Sequence, residues 1–123
     1  MTNLFIKSTN ITPEINFDLT GKFSIKGISI PEKATEFYSD VFFWMDQNKI
    51  NLPQEITITL TIEYMNTPSK KFIILLLTKL IEQCANKHKL EIIWEYDHEI
   101  DDIREEGEIL EEVVEFPFKF KAY

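Results

Sequence analysis

The clearest pattern in the chain is an alternation. Between Gln54 and Met65, Ile56, Ile58, Leu60, Ile62 and Tyr64 fall on one side and Thr57, Thr59, Thr61 and Glu63 on the other, the period of two that marks a strand with one buried face. A strand covered on both faces reads instead as a nearly unbroken apolar run. The pattern therefore predicts a sheet with helices mainly on one face and a wet or thinly covered second face.

The pattern changes period on either side. Leu4 to Ile6 and Ile11 to Asp18 read as short extended segments, and Leu19-Thr20-Gly21-Lys22 as a turn into Phe23, Ile25 and Ile28, which together predict an N-terminal hairpin. Phe37, Val41, Trp44 and Met45, widened by Tyr38 and Phe42, follow helical spacing to about Asn48. Ser29 or Ile30 is placed to precede that helix, with Pro31 in its first turn. A second helix opens at Asn66-Thr67-Pro68-Ser69 and runs to about Lys87, buried through Ile73, Leu76, Leu77, Leu80, Ile81 and Cys84. With the strand that follows, Leu90 to Tyr96, it forms a βαβ unit, so the two flanking strands are predicted to be parallel. Ile100 to Glu112 predicts a third, acidic helix interrupted by Gly107, and Phe116, Phe118 and Phe120 a short terminal strand interrupted at Pro117.

At 123 residues, 44% of them hydrophobic and only three of them glycine, the chain suits one folded domain, residues 1–123, of the α/β class. The apolar run Phe72 to Leu77 is far too short to span a bilayer. No signal-peptide layout opens the chain, so a soluble cytoplasmic protein is expected. A net charge of −8 argues against nucleic acid and anionic membrane as partners. That charge is uneven. Glu91 to Glu115 holds twelve acidic residues and one basic, Arg104, while the rest of the chain is slightly basic, which predicts an acidic pole.

Chemistry is sparse. No Gly-rich phosphate loop, Ser-His-Asp order or Cys-His pair is present, so no catalytic residue and no cofactor are expected. Cys84 fits a core position, as do Trp44 and Trp94, and His88 fits a surface turn. Asp97, His98, Glu99, Asp101 and Asp102 carry oxygen ligands, but their spacing is not that of an EF-hand loop, and a solvated loop capping the third helix is the simpler reading. Thr67 stands out. It follows the best strand, and with Pro68 read as the first helical residue it is the N-cap, near the unpaired N–H groups of the first turn. There the helix dipole, with Lys70 or Lys71, favours an anion. Thr67 is therefore either a plain cap or an acceptor whose phosphate the fold tolerates.

The segment Glu63-Tyr64-Met65-Asn66-Thr67-Pro68-Ser69 resembles the Tyr-x-Asn-Thr-Ser-Ser stretch of the SiaC family, bacterial phosphoproteins related in design to STAS-domain anti-sigma factor antagonists. Gly27-Ile28-Ser29-Ile30-Pro31-Glu32, Trp94-Glu95-Tyr96-Asp97 with Asp101-Asp102, Glu106-Gly107-Glu108 and Phe116-Pro117-Phe118 match in the same order, over nearly the whole chain. The resemblance implies a STAS-like mixed sheet and a phospho-switch that is not an enzyme. It implies Thr67 as phosphoacceptor, a serine/threonine kinase with a histidine-kinase-like ATPase fold, and a metal-dependent phosphatase. The unphosphorylated form is expected to activate a diguanylate cyclase, in cyclic di-GMP and biofilm signalling. Pro68 departs from the family's serine, removing one N–H from the turn, and Ser69 is a second candidate hydroxyl. Asn66 stands where the antagonists carry Asp. Topology should bring the loop from Asp97 to the same rim as Thr67, so Pro31, Glu32, Asn66, Thr67, Pro68 and Asp97 are the expected partner-binding residues. A STAS-like scaffold or small-ligand domain without phosphorylation is the alternative.

Overall fold

The computed structural model describes residues 2–85 and 88–123. Six strands form one sheet in chain order: β1 (Leu4–Ile6), β2 (Glu14–Asp18), β3 (Lys22–Ser29), β4 (Glu55–Met65), β5 (Lys89–Tyr96) and β6 (Phe118–Ala122). The first three are antiparallel neighbours, and β3 to β6 run parallel. Three helices make the parallel crossovers: α1 (Ala34–Asn48, followed by a 3-10 turn at Lys49–Asn51), α2 (Thr67–Cys84) and α3 (Ile103–Val114). Because all three connections advance the same way across the sheet, right-handed crossovers place every helix on the same face. The mixed sheet, the N-terminal hairpin and the one-sided helices are those expected from the alternation. The expected end of the second helix at Lys87 lies outside the described residues.

The helix-covered face holds the core. Phe17 stacks on Phe23 at 4.6 Å between ring centres, and Trp44 of α1 meets both rings edge-on at 5.7 and 5.8 Å, which seats α1 on the hairpin. Tyr38 stacks on Phe72 at 5.7 Å and closes the seam between α1 and α2. Ile73, Leu76, Leu77 and Leu80 of α2 and Ile56, Ile58 and Leu60 of β4 belong to the same buried core. On the opposite face Thr57 and Thr59 are half-exposed, and Lys119 reaches Glu91 at 2.7 Å.

Three expectations are corrected. Pro31 is not in the first turn of α1. Ile30 N–H donates to the Ile11 carbonyl at 2.7 Å, which keeps the chain extended past Ser29, and the helix begins only at Ala34. Tyr64 is not on the core side. The β3–β4 register shifts between Gly27 and Ile28, pairing Gly27 with Ile62 but Ile28 with Tyr64. That bulge reverses the alternation, so Tyr64 is 60% exposed and the inward positions pass to Met65 and Ser29. Gly107 does not interrupt α3. A Cβ there would lie 2.5 Å from Cδ1 of the buried Trp94 indole, so the glycine is where helix and strand touch. The acidic stretch gathers toward one end of the sheet, since β5, α3 and the loop between them lie next to the terminal strand β6.

Candidate functional site

Parallel strands deliver their C-terminal ends, and the loops that follow, to a common rim. Here β3 and β4 finish side by side, Ser29 opposite Met65, and Asn66 N–H donates to the Ser29 carbonyl at 3.0 Å. Pro31 and Glu32, which follow β3, are thereby beside the start of α2, Pro31 buried and Glu32 exposed.

The N-cap of α2 is Asn66, not Thr67. Asn66 has extended backbone angles, and its Oδ1 accepts from Ser69 N–H at 3.0 Å. Thr67 and Pro68 are thus the first two helical residues, and both are exposed. Ser69, the second candidate hydroxyl, is fully buried, with its Oγ accepting from Ser29 Oγ at 2.8 Å. Of the two, only Thr67 is exposed. The turn is also poorer in free donors than a cap at Thr67 implies. Pro68 has no N–H, Ser69 N–H is held by Asn66 Oδ1, and Lys70 N–H donates to the Asn66 carbonyl at 2.9 Å. Attraction for an anion therefore comes from the helix dipole and from Lys70 and Lys71, with no acidic residue in the first turn. Lys70 Nζ lies 2.8 Å from Glu106 Oε2, which joins α2 to α3.

The acidic loop divides. Asp101, Asp102 and Glu106 line a cavity of about 240 Å³ with Glu63, Tyr64 and Met65 and so come up against the end of β4. Asp97 is set further back, because β4 runs on to Met65 after its last pairing with β5, Leu60 opposite Trp94. There Asp97 Oδ1 accepts from Glu99 N–H at 2.9 Å, and its charge, after desolvation, helps hold the Tyr123 hydroxyl above its ordinary pKa. Asp97 is not among the residues that line that cavity. Nor does the loop cap α3 with a side chain: Asp102 stands at the N-cap in the left-handed region, φ 66°, without a capping bond. Among the described residues no three His, Cys, Asp or Glu side chains converge as a metal site.

The remaining candidates are structural. Cys84 is buried, and desolvation pushes its thiol pKa up to about 11, which keeps it an unreactive thiol at neutral pH. Trp94 is fully buried and donates from Nε1 to the Ile103 carbonyl at 3.0 Å. His88 is half-buried, its Nδ1 2.7 Å from the Pro53 carbonyl oxygen, so it is more than a surface residue. Sequence reasoning missed the hydroxyl chain of Tyr38, Ser29 and Ser69 beneath the turn. One signal was available: a Tyr on the core stripe of an amphipathic helix needs a partner for its O–H.

Fold and site together define a small α/β domain with helices on one face and an exposed threonine in the first turn of a helix. The chain belongs to the SiaC family of regulatory phosphoproteins, whose family model matches residues 6–123. An uncharacterized protein of Pseudomonas aeruginosa strain UCBPP-PA14 is 29% identical over all of this chain and 98% of its own length. Among solved structures, SiaC of Pseudomonas aeruginosa is 27% identical with a TM-score of 0.84 over the whole of both chains. The crystal structure of the diguanylate cyclase SiaD in complex with its activator SiaC, from the same organism, contains a chain 29% identical to this one. That match has a TM-score of 0.88 and covers 98% of this chain and 99% of that one. Among the described residues no helix is long and apolar enough to cross a membrane.

Proposed function

We propose that this chain is a non-enzymatic phospho-switch that binds and activates a diguanylate cyclase when Thr67 is unphosphorylated and releases it when Thr67 carries phosphate. The observation that carries the reading is the exposed Thr67 at the first position of α2, between a cap that does not depend on it and two lysines that suit an anion. In the forward step Thr67 Oγ1 attacks the γ-phosphorus of ATP held by a dedicated serine/threonine kinase. The bond to the leaving ADP oxygen breaks, and the threonine proton passes to the kinase's base. A metal-dependent phosphatase reverses the modification. The dianion adds its charge and bulk to the rim formed by Pro31, Glu32 and Asn66 to Pro68 and so blocks the partner. Because Asn66 is the cap, the fold need not change for the switch to act.

The test is intact-mass and peptide mass spectrometry after incubation with ATP and the candidate kinase, paired with a cyclase assay. One phosphate on Thr67, absent from Thr67→Ala, and loss of cyclase activation on phosphorylation are the expected results. An active kinase that leaves Thr67 unmodified overturns the reading in favour of a scaffold or ligand-binding domain.

A further inference from the structure

Beneath the acceptor turn lies a chain of hydroxyls that close packing alone does not require. Ser29 at the end of β3, Tyr38 in α1 and Ser69 in the first turn of α2 are all 0% exposed. Ser29 Oγ donates to Ser69 Oγ at 2.8 Å. A serine has one hydroxyl proton to give, so across the 2.6 Å to Tyr38 Oη it is the tyrosine that donates. The order Tyr38 to Ser29 to Ser69 links three elements far apart in sequence. Desolvation raises the tyrosine's pKa, so the donor stays protonated at neutral pH.

The far end of this chain is two residues from Thr67. The turn is pinned at three points: Asn66 N–H on the Ser29 carbonyl at 3.0 Å, Ser69 N–H on Asn66 Oδ1 at 3.0 Å, and Ser69 Oγ on Ser29 Oγ. Two of the three pass through Ser29. Thr67 and Pro68 are the exposed residues between the pins, so where the threonine hydroxyl stands relative to the body of the domain is set by them.

We propose that the Tyr38–Ser29–Ser69 chain is the positioning device for phosphoryl transfer to Thr67, with Tyr38 the positioning residue on α1 that locks the acceptor turn. The proposal rests on the phosphorylation reading above. Transfer needs the attacking oxygen in line with the γ-phosphate, and small misplacements cost rate at unchanged chemistry. Tyr38→Phe isolates the hydroxyl. The ring keeps its stack on Phe72 and its edge contact with Phe37 at 4.9 Å, and Ser29 still donates to Ser69, so the substitution removes only what the tyrosine hydroxyl gives to Ser29 and Ser69.

Initial rates of Thr67 phosphorylation are measured against protein concentration for wild type, Tyr38→Phe and Ser69→Ala, with hydrogen exchange at the Ser69 amide. Both variants should lose about fivefold or more in kcat, as expected for a misplaced reacting group. KM should stay within about twofold, since the kinase still meets the same surface. Exchange at Ser69 should quicken. A purely structural role lowers the melting temperature without moving kcat of the folded protein. Ser69→Ala, which keeps the Asn66 cap bond, decides the matter if Tyr38→Phe fails to fold. Wild-type kcat and KM in the folded variants overturn the proposal while leaving phosphorylation intact. A wild type that takes no phosphate on Thr67 overturns both.

Discussion

The helices α2 and α3 start from the ends of neighbouring parallel strands and begin in opposite ways. At α2 an extended Asn66 caps the first turn with its side chain, and that turn contains Lys70 but no carboxylate. At α3 the N-cap Asp102 is left-handed and makes no capping bond, but Glu105 and Glu106 sit in the first turn. A helix start carries partial positive charge, which α3 answers with its own carboxylates. In α2 the lysine adds to it, and Glu106 reaches across from α3 to Lys70. One start is electrostatically complete, and the other lacks an anion of its own. The exposed threonine stands on the second, the start that the helix dipole and Lys70 leave the more positive of the two.

The comparison can be broken most severely at the base of α3. Gly107→Ala drives a Cβ to 2.5 Å from the Trp94 ring, which is fully buried and tied to Ile103. Overpacking of this kind costs about 2–3 kcal/mol, read as a lower urea midpoint, and an unchanged midpoint would show that α3 is not docked through Gly107. At α2, Asn66→Ala should cost about 1 kcal/mol as a lost cap. Thr67→Ala, exposed and outside the cap, should stay within about 0.5 kcal/mol. The reverse ranking in chemical denaturation would return the cap to Thr67. Glycine sharpens the contrast by its sign. Asp102→Gly relieves a left-handed residue and should be neutral or stabilise by about 0.5 kcal/mol, whereas Asn66→Gly should lose a few tenths, about 0.3 kcal/mol. The smallest effect is expected at the link between the helices. Glu106→Gln removes a partly exposed ion pair, about 0.5 kcal/mol at low salt and less as salt is added. A loss independent of salt would mean that Glu106 acts through packing.

How far the fold could be read from residue patterns varied with the range of the interactions that set it. The strand β4 was legible to within a residue, because its Ile/Thr alternation records which face is buried. The bulge that turns Tyr64 outward was not, since it arises from pairing with Gly27 and Ile28 on another strand. The start of α2 lies one residue before the position its residue pattern indicates. Asn66 and Thr67 are both good caps, and what separates them is the bond from Asn66 N–H to Ser29, supplied by the neighbouring strand. At α1 the proline signal misled for a similar reason: the Ile30–Ile11 bond holds Pro31 in extended chain before the helix. The threonine itself was legible, through its place after the strongest strand and through the family motif around it.

Contiguous residues by themselves determined the order of strands and helices, the one-sided sheet, the acidic stretch and the candidacy of Thr67, because periodicity and composition are written along the backbone. Tertiary structure alone decided that Asn66 is the cap, that Ser69 is sealed while Thr67 is exposed, that Glu106 comes forward to Lys70, and that Tyr38 meets Ser29 beneath the start of α2. The Ser29–Ser69 bond spans 40 positions of sequence and Tyr38–Ser29 joins a helix to a strand. Such contacts carry no local signature, because their partners meet only when the sheet closes and water is driven from between them.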